Sequence, residues 1–152
     1  MVPKINPKSE IVAKRKLRSV LLVDDDYTSN ILCETIIKRL DIAEEIEVVD
    51  NGEDAFQFIK ETCFTDKCPE LILLDINMPV LNGLEFLEAY RLLNSFHAKV
   101  ILAVLTSSSF EGDIEAARKL GVDDYILKPL TSQKLLDLIE KHSVKLEAGS
   151  GK

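Results

Sequence analysis

Leu71-Ile72-Leu73-Leu74-Asp75-Ile76-Asn77-Met78-Pro79 decides how this chain is read. Four consecutive apolar residues are too short a run for a buried helix, and they show no alternation. They describe a strand covered on both faces, as in a parallel sheet flanked by helices. The run stops at an acid, Asp75. Two other segments have the same form. Val20-Leu21-Leu22-Val23 leads into Asp24-Asp25-Asp26, and Tyr125-Ile126-Leu127 leads into Lys128-Pro129. If these are parallel neighbours, their carboxyl ends open on one edge of one sheet, where open α/β sheets place their ligands.

The rest of the chain supplies the alternation this reading needs. Ser19 to Val23 is the first strand. Thr28 to Leu40 has near-helical spacing at Ile31, Leu32, Thr35, Ile36 and Leu40. Glu45 to Val49 is a more polar strand, expected near an edge. Asn51-Gly52 turns into a helix with Ala55, Phe56 and Ile59 on one face. After the strand Glu70 to Leu74 comes a helix over Gly83 to Leu93 with Leu84, Leu87 and Tyr90, then a strand over Lys99 to Leu105. Glu111 to Leu120 is helical, with acids towards its start and Gly121 where a left-handed terminal residue is expected. Asp124 to Leu127 is the last strand. Thr131 caps a helix bearing Leu135, Leu138 and Ile139. Strand and helix alternate through five β-α units, which implies a parallel sheet with helices on both faces.

The chain has 152 residues, 46% hydrophobic and 30% charged, the profile of one globular domain with a core. Its net charge of −7 argues against nucleic acid as a partner. No apolar run approaches the roughly 20 residues that span a bilayer, and Met1 to Arg18 lacks the apolar middle of a signal peptide. A cytoplasmic location without membrane attachment is the expectation. Residues 1–18 are expected to be a polar, flexible leader, with its basic cluster Lys14, Arg15, Lys16 and Arg18 solvated. Residues 19–145 are read as the domain and 146–152 as a flexible tail. Cys33 is expected in the core. Cys63 and Cys68 are read as two unpaired thiols, with a redox pair as the alternative. His97 and His142 are too isolated for zinc.

Asp24, Asp25 and Asp75 would repel one another unless neutralised. Mg²⁺ favours a few carboxylates together with waters and phosphate oxygens. A carboxylate beside such a cation can attack phosphorus, with Lys128 and the hydroxyl of Thr106 at the phosphoryl oxygens. Singly, each residue has an ordinary reading: a helix cap, a turn, a solvated lysine. Together, four strand ends agree in order and chemistry.

Val23-Asp24-Asp25, then Asp75-Ile76-Asn77-Met78-Pro79 with Gly83, then Leu105-Thr106-Ser107, then Tyr125 with Lys128-Pro129, closely resemble the receiver domains of two-component response regulators. The resemblance covers about Ser19 to Val144. It implies a flavodoxin-like, doubly wound (βα)5 fold with strand order 2-1-3-4-5. By the same resemblance, Asp75 would accept a phosphoryl group from a histidine kinase or histidine phosphotransfer protein. Asp25 and Asp75 would bind Mg²⁺ directly, Asn77 through its backbone carbonyl, and Asp24 through water. Lys128 would contact the phosphoryl group, and Lys128-Pro129 would be a cis peptide. Thr106 and Tyr125 would switch, Tyr125 being otherwise a half-buried aromatic. The signal would be read on the face of the fourth helix, fifth strand and fifth helix, through which family members can also dimerise. Pro79 and Gly83 would shape the loop after Asp75, Asp26 would cap the first helix, and Asn77 and Ser108 would influence how fast phosphate is lost.

The resulting expectation is a stand-alone receiver that signals to protein partners and is not an enzyme in the ordinary sense. A degenerate receiver serving as a static interaction module is the alternative, although every key residue is present. A haloacid-dehalogenase-type phosphatase would use Asp24 and Asp26, but its later acidic pair is missing after Lys128. A flavin-binding flavodoxin is disfavoured because the acids would repel the cofactor's phosphate.

Overall fold

The computed structural model describes residues 16–78, 81–93 and 99–150. Its strands are β1 (Leu17–Val23), β2 (Ala43–Val49), β3 (Leu71–Leu74), β4 (Ile101–Thr106) and β5 (Asp124–Leu127). Its helices are α1 (Tyr27–Leu40), α2 (Gly52–Thr62), α3 (Gly83–Arg91), α4 (Glu111–Lys119), α5 (Ser132–Lys141) and α6 (Ser143–Ser150). The strands form one parallel sheet in the order β2-β1-β3-β4-β5. This is the doubly wound order expected.

Side-chain alternation along each strand divides the core in two. Val20 and Leu22 of β1, Leu71 and Leu73 of β3, and Ile101, Ala103 and Leu105 of β4 face α1 and α5, meeting Cys33, Ile36, Ile37, Leu135 and Ile139. Leu21 and Val23, Ile72 and Leu74, and Leu102 and Val104 face the opposite layer, meeting Ala55, Ile59, Phe86, Leu87 and Ala117 of α2, α3 and α4. Where both layers cover them, at residues 20–23, 71–74 and 101–105, the central strands carry apolar residues at every position, which explains the uninterrupted runs. The edge strand β2 is covered less completely and keeps Glu44, Glu45 and Glu47.

Several expectations shift. β1 begins at Leu17, so two residues assigned to the leader are part of the sheet. Leu17 is buried and its N–H donates to the Ile42 carbonyl, while the Arg18 N–H donates to the buried Glu70 carboxylate. The rest of the expected leader, through residue 15, lies outside the described residues. In α1 the buried face is Asn30, Cys33, Ile36 and Ile37, whereas Ile31 and Leu32 are largely exposed. In α3 the buried set is Phe86, Leu87 and Tyr90. The expected tail is helical as far as Ser150. Lys145 anchors that segment through the Val100 carbonyl at 3.0 Å and Asp123 at 2.8 Å.

Cys63 and Cys68 are joined as a disulfide, which corrects the reading of two unpaired thiols. Sequence spacing did not show that the turn between them closes on itself. It does so through the Thr65 N–H and hydroxyl, both donating to the Thr62 carbonyl.

Candidate functional site

Strand order reverses direction between β1 and β3, and the carboxyl ends of β1, β3 and β4 meet there. Asp24 and Asp75 sit one residue past β1 and β3, and neighbouring strands hold both backbones. The Asp24 N–H donates to the Val49 carbonyl, and the Asp75 N–H donates to the Val23 carbonyl. Thr106 is the last residue of β4 and is fully buried. The Lys128 N–H donates to the Thr106 carbonyl, which aims the lysine back over the sheet edge, and Lys128-Pro129 is cis.

The side chains converge on Asp75. Its Oδ1 accepts the Thr106 hydroxyl at 2.8 Å and the Asn77 N–H at 3.0 Å. Its Oδ2 accepts the Lys128 ammonium at 3.2 Å. Lys128 also pairs with Asp24 Oδ2 at 2.7 Å, while Asp24 Oδ1 accepts the Asp26 N–H at 2.9 Å. Asp25 stands beside them, exposed. One carboxylate oxygen each from Asp24, Asp25 and Asp75 lies within 4.8 Å of the others. All three are hard oxygen donors, which is what Mg²⁺ requires, and the Asn77 backbone lies next to them, so the residues present fit that ion.

Burial pushes the Asp24 carboxyl up; the hydrogen bonds from Lys128 and Asp26 pull it back, and the nearby Asp75 charge adds to the rise, leaving it above its ordinary value. Burial works against the Lys128 ammonium as well, but the hydrogen bonds and charges of Asp24 and Asp75 outweigh it and raise that pKa.

Gly83 explains the spacing of the D-x-N-M-P-x-x-x-G stretch. Its N–H donates to the Ile76 carbonyl, and a Cβ there would lie 2.4 Å from Ile76 Cα and 2.5 Å from the Asp75 carbonyl oxygen. Only glycine lets α3 start so close to the strand end. Asn82 caps that helix in a reciprocal capping box with Glu85. Pro79 lies outside the described residues.

Asp26 accepts the Thr28 N–H and serves as the N-cap of α1, as expected. Tyr125 is half-buried, and its hydroxyl donates to the Ser108 carbonyl at 2.8 Å. The Ser108 hydroxyl in turn donates to Asp113 at 2.7 Å, and the Ser108 N–H reaches Thr106 Oγ1 at 3.4 Å. Ser108 therefore stands between the two residues expected to switch. The sequence reading missed Asn30, whose buried amide donates to the Asp24 carbonyl at 2.8 Å. The available signal was a polar residue one helical turn before Cys33 on the core side of α1.

A family model described as the response regulator receiver domain matches residues 20–140. Chemotaxis protein CheY of Halobacterium salinarum is 34% identical over 123 residues, covering 80% of this chain and 93% of that protein. Hybrid signal transduction histidine kinase B of Dictyostelium discoideum is 27% identical over 150 residues, covering 91% of this chain but 7% of that protein. A crystal structure of a two-component response regulator from Cytophaga hutchinsonii superposes with a TM-score of 0.77 at 36% identity, over 86% of this chain and 99% of that one. The chain belongs to the response regulator receiver family. Among the described residues, no helix is long and apolar enough to cross a membrane.

Proposed function

We propose that Asp75 is the phosphoacceptor of a two-component relay, and that residues 19–145 form the working unit. The observation that carries this reading is the set of partners around one carboxylate: a buried hydroxyl, a lysine and two further acids, all on Asp75 or within 4.8 Å of it. Oδ1 already accepts two hydrogen bonds, so Oδ2, on the Lys128 side, is the less encumbered nucleophile. It attacks phosphorus as the bond from phosphorus to a donor imidazole nitrogen breaks. The donor is a histidine kinase or a histidine phosphotransfer protein. Lys128 then moves from carboxylate to phosphoryl oxygen.

Asp25, Asp75 and the Asn77 carbonyl would hold Mg²⁺, with Asp24 reaching it through water. When bound, that ion supplies charge neutralisation for the acids and the transferring group. The Thr106 hydroxyl, freed from Asp75 Oδ1, donates to the new phosphoryl group. That difference in bonding between two states is what shifts a population. Ser108 and Tyr125 lie next along the chain of hydrogen bonds, so the change is passed to the face of α4, β5 and α5, where a protein partner reads it. The setting is cytoplasmic, and the only chemistry is gain and loss of the phosphoryl group.

Intact-mass measurement after incubation with a small acyl phosphate, with and without Mg²⁺, tests this on wild type and Asp75→Asn. A single Mg²⁺-dependent phosphate adduct, absent from the variant, is the expected result. Normal yield of stable phosphate on Asp75→Asn would remove Asp75 from the role. No adduct even with a competent kinase would leave a static interaction module.

A further inference from the structure

At the end of the sheet opposite Asp75, Cys63 and Cys68 line a cavity of about 180 Å³ together with Arg18, Lys99, Thr65 and Pro69. Both cysteines are mostly buried, and both line the cavity. The disulfide closes a separation of only five residues. Hydrogen bonds between Thr62, Thr65 and Lys67 already hold that turn. A cross-link over so short a loop removes less chain entropy than one that closes a long loop, and the turn is already held by its own hydrogen bonds, so stability is not the only use open to this bond. Two cations stand on the cavity wall, Lys99 and Arg18, the latter 3.8 Å from the Glu70 carboxylate, and their charge attracts an anionic thiol over a neutral one.

We propose that Cys63 and Cys68 form a reversible thiol–disulfide exchange site for an anionic low-molecular-weight thiol of the glutathione class, drawn in by Arg18 and Lys99. The incoming thiolate attacks Cys63 Sγ. A mixed disulfide forms there, the Sγ–Sγ bond breaks, and Cys68 leaves as the thiolate. Cys63 is the sulfur attacked because it caps the carboxyl end of α2, where the helix dipole disfavours a thiolate leaving group. A second small thiolate then attacks the small-molecule sulfur of the mixed disulfide, the bond from that sulfur to Cys63 Sγ breaks, and Cys63 leaves as a thiolate that takes a proton from water. The small thiol is oxidised to its own disulfide, the protein pair is reduced by two electrons, and the reverse sequence restores it. Cys33 does not compete, because burial pushes its thiol up to about 11.

The test incubates the full chain in mixtures of glutathione and glutathione disulfide, quenches with an alkylating agent and reads intact mass over time. The expected result is interconversion of disulfide and dithiol as the mixture is varied, with a trapped glutathione adduct mapping to Cys63. Lys99→Gln, on an exposed residue, should slow exchange with glutathione by about threefold or more while leaving exchange with neutral 2-mercaptoethanol unchanged. Raising salt should slow the wild type with glutathione in the same way. A pair that stays fully oxidised or fully reduced in every mixture overturns the proposal. So does a Lys99→Gln variant that behaves like wild type towards both thiols, or that slows equally with both.

Discussion

Lys128 lies closer to Asp24 than to the proposed phosphoacceptor Asp75, at 2.7 Å against 3.2 Å. The lysine thus occupies the acidic cluster that a divalent cation would enter. Cation binding and release of Lys128 from Asp24 are then linked events, and the lysine becomes available to a phosphoryl group only as its carboxylate partners are satisfied another way.

Lys128→Met should therefore bind Mg²⁺ more tightly while accepting phosphate more slowly. Removing the competing ammonium is expected to lower the Mg²⁺ dissociation constant by about tenfold, equivalent to about 1.4 kcal/mol. Calorimetric titration of the metal and the rate of acyl-phosphate labelling measure the two effects separately. Unchanged or weaker metal binding would show that the Lys128–Asp24 pair opens at no cost and that the two do not compete.

Thr106→Val keeps the shape of a fully buried residue and deletes the hydroxyl that donates to Asp75 Oδ1. That oxygen still accepts the Asn77 N–H, so the loss is partial, about 1–2 kcal/mol of stability by urea unfolding. Thr106→Ser retains the donor and should recover most of the hydrogen-bond contribution. If the signal passes through this hydroxyl, Thr106→Val still takes up phosphate but loses phosphate-dependent binding of a partner. Full partner binding by the phosphorylated valine variant would place the switch elsewhere.

Strand ends were the most legible part of this chain. In a strand covered on both faces, every interior position is apolar, so the first acid or lysine after the run stands out, as Asp24, Asp75 and Lys128 do. Helix facing was less legible. Ile31 and Leu32 suggest one face of α1, yet Asn30 is buried because its amide reaches the Asp24 carbonyl, a tertiary contact that no periodicity encodes. Spacing also brought Lys128 to the right edge without saying which carboxylate it would prefer. The Cys63–Cys68 bond depended on turn bonds that bring the two Cα atoms to 4.1 Å, and sequence separation alone leaves that distance open.

Asp124 makes a contribution of definite sign to the pH dependence, isolated by comparing wild type with Asp124→Asn. Burial acts to raise its pKa, but the Tyr125 N–H, His142 and Lys141 more than offset this and hold the carboxyl below its ordinary value. A folded-state pKa below the unfolded one means stability that is present above pH 3.8 and is lost as pH falls through the depressed folded value. Urea midpoints of wild type should decline over that acid range, and Asp124→Asn should decline less steeply while starting from a lower midpoint at neutral pH. Parallel curves for the two proteins would mean that Asp124 is no better held in the folded state than in the unfolded one.

Gly83→Ala tests whether the start of α3 positions the site. The added methyl meets backbone at 2.4 Å and 2.5 Å, on Ile76 and Asp75, and backbone cannot rotate out of the way as a side chain can. The helix must move outward, carrying Phe86 and Leu87 from their buried positions beside the sheet. The expected cost is about 1–3 kcal/mol, read as a lower urea midpoint. Because the strained atoms belong to the phosphoacceptor's own peptide, labelling by acyl phosphate should fall in the fraction that remains folded. Normal labelling at a reduced midpoint would confine Gly83 to packing. Loss of both would make the close approach of α3 a condition for holding Asp75 against Thr106 and Lys128.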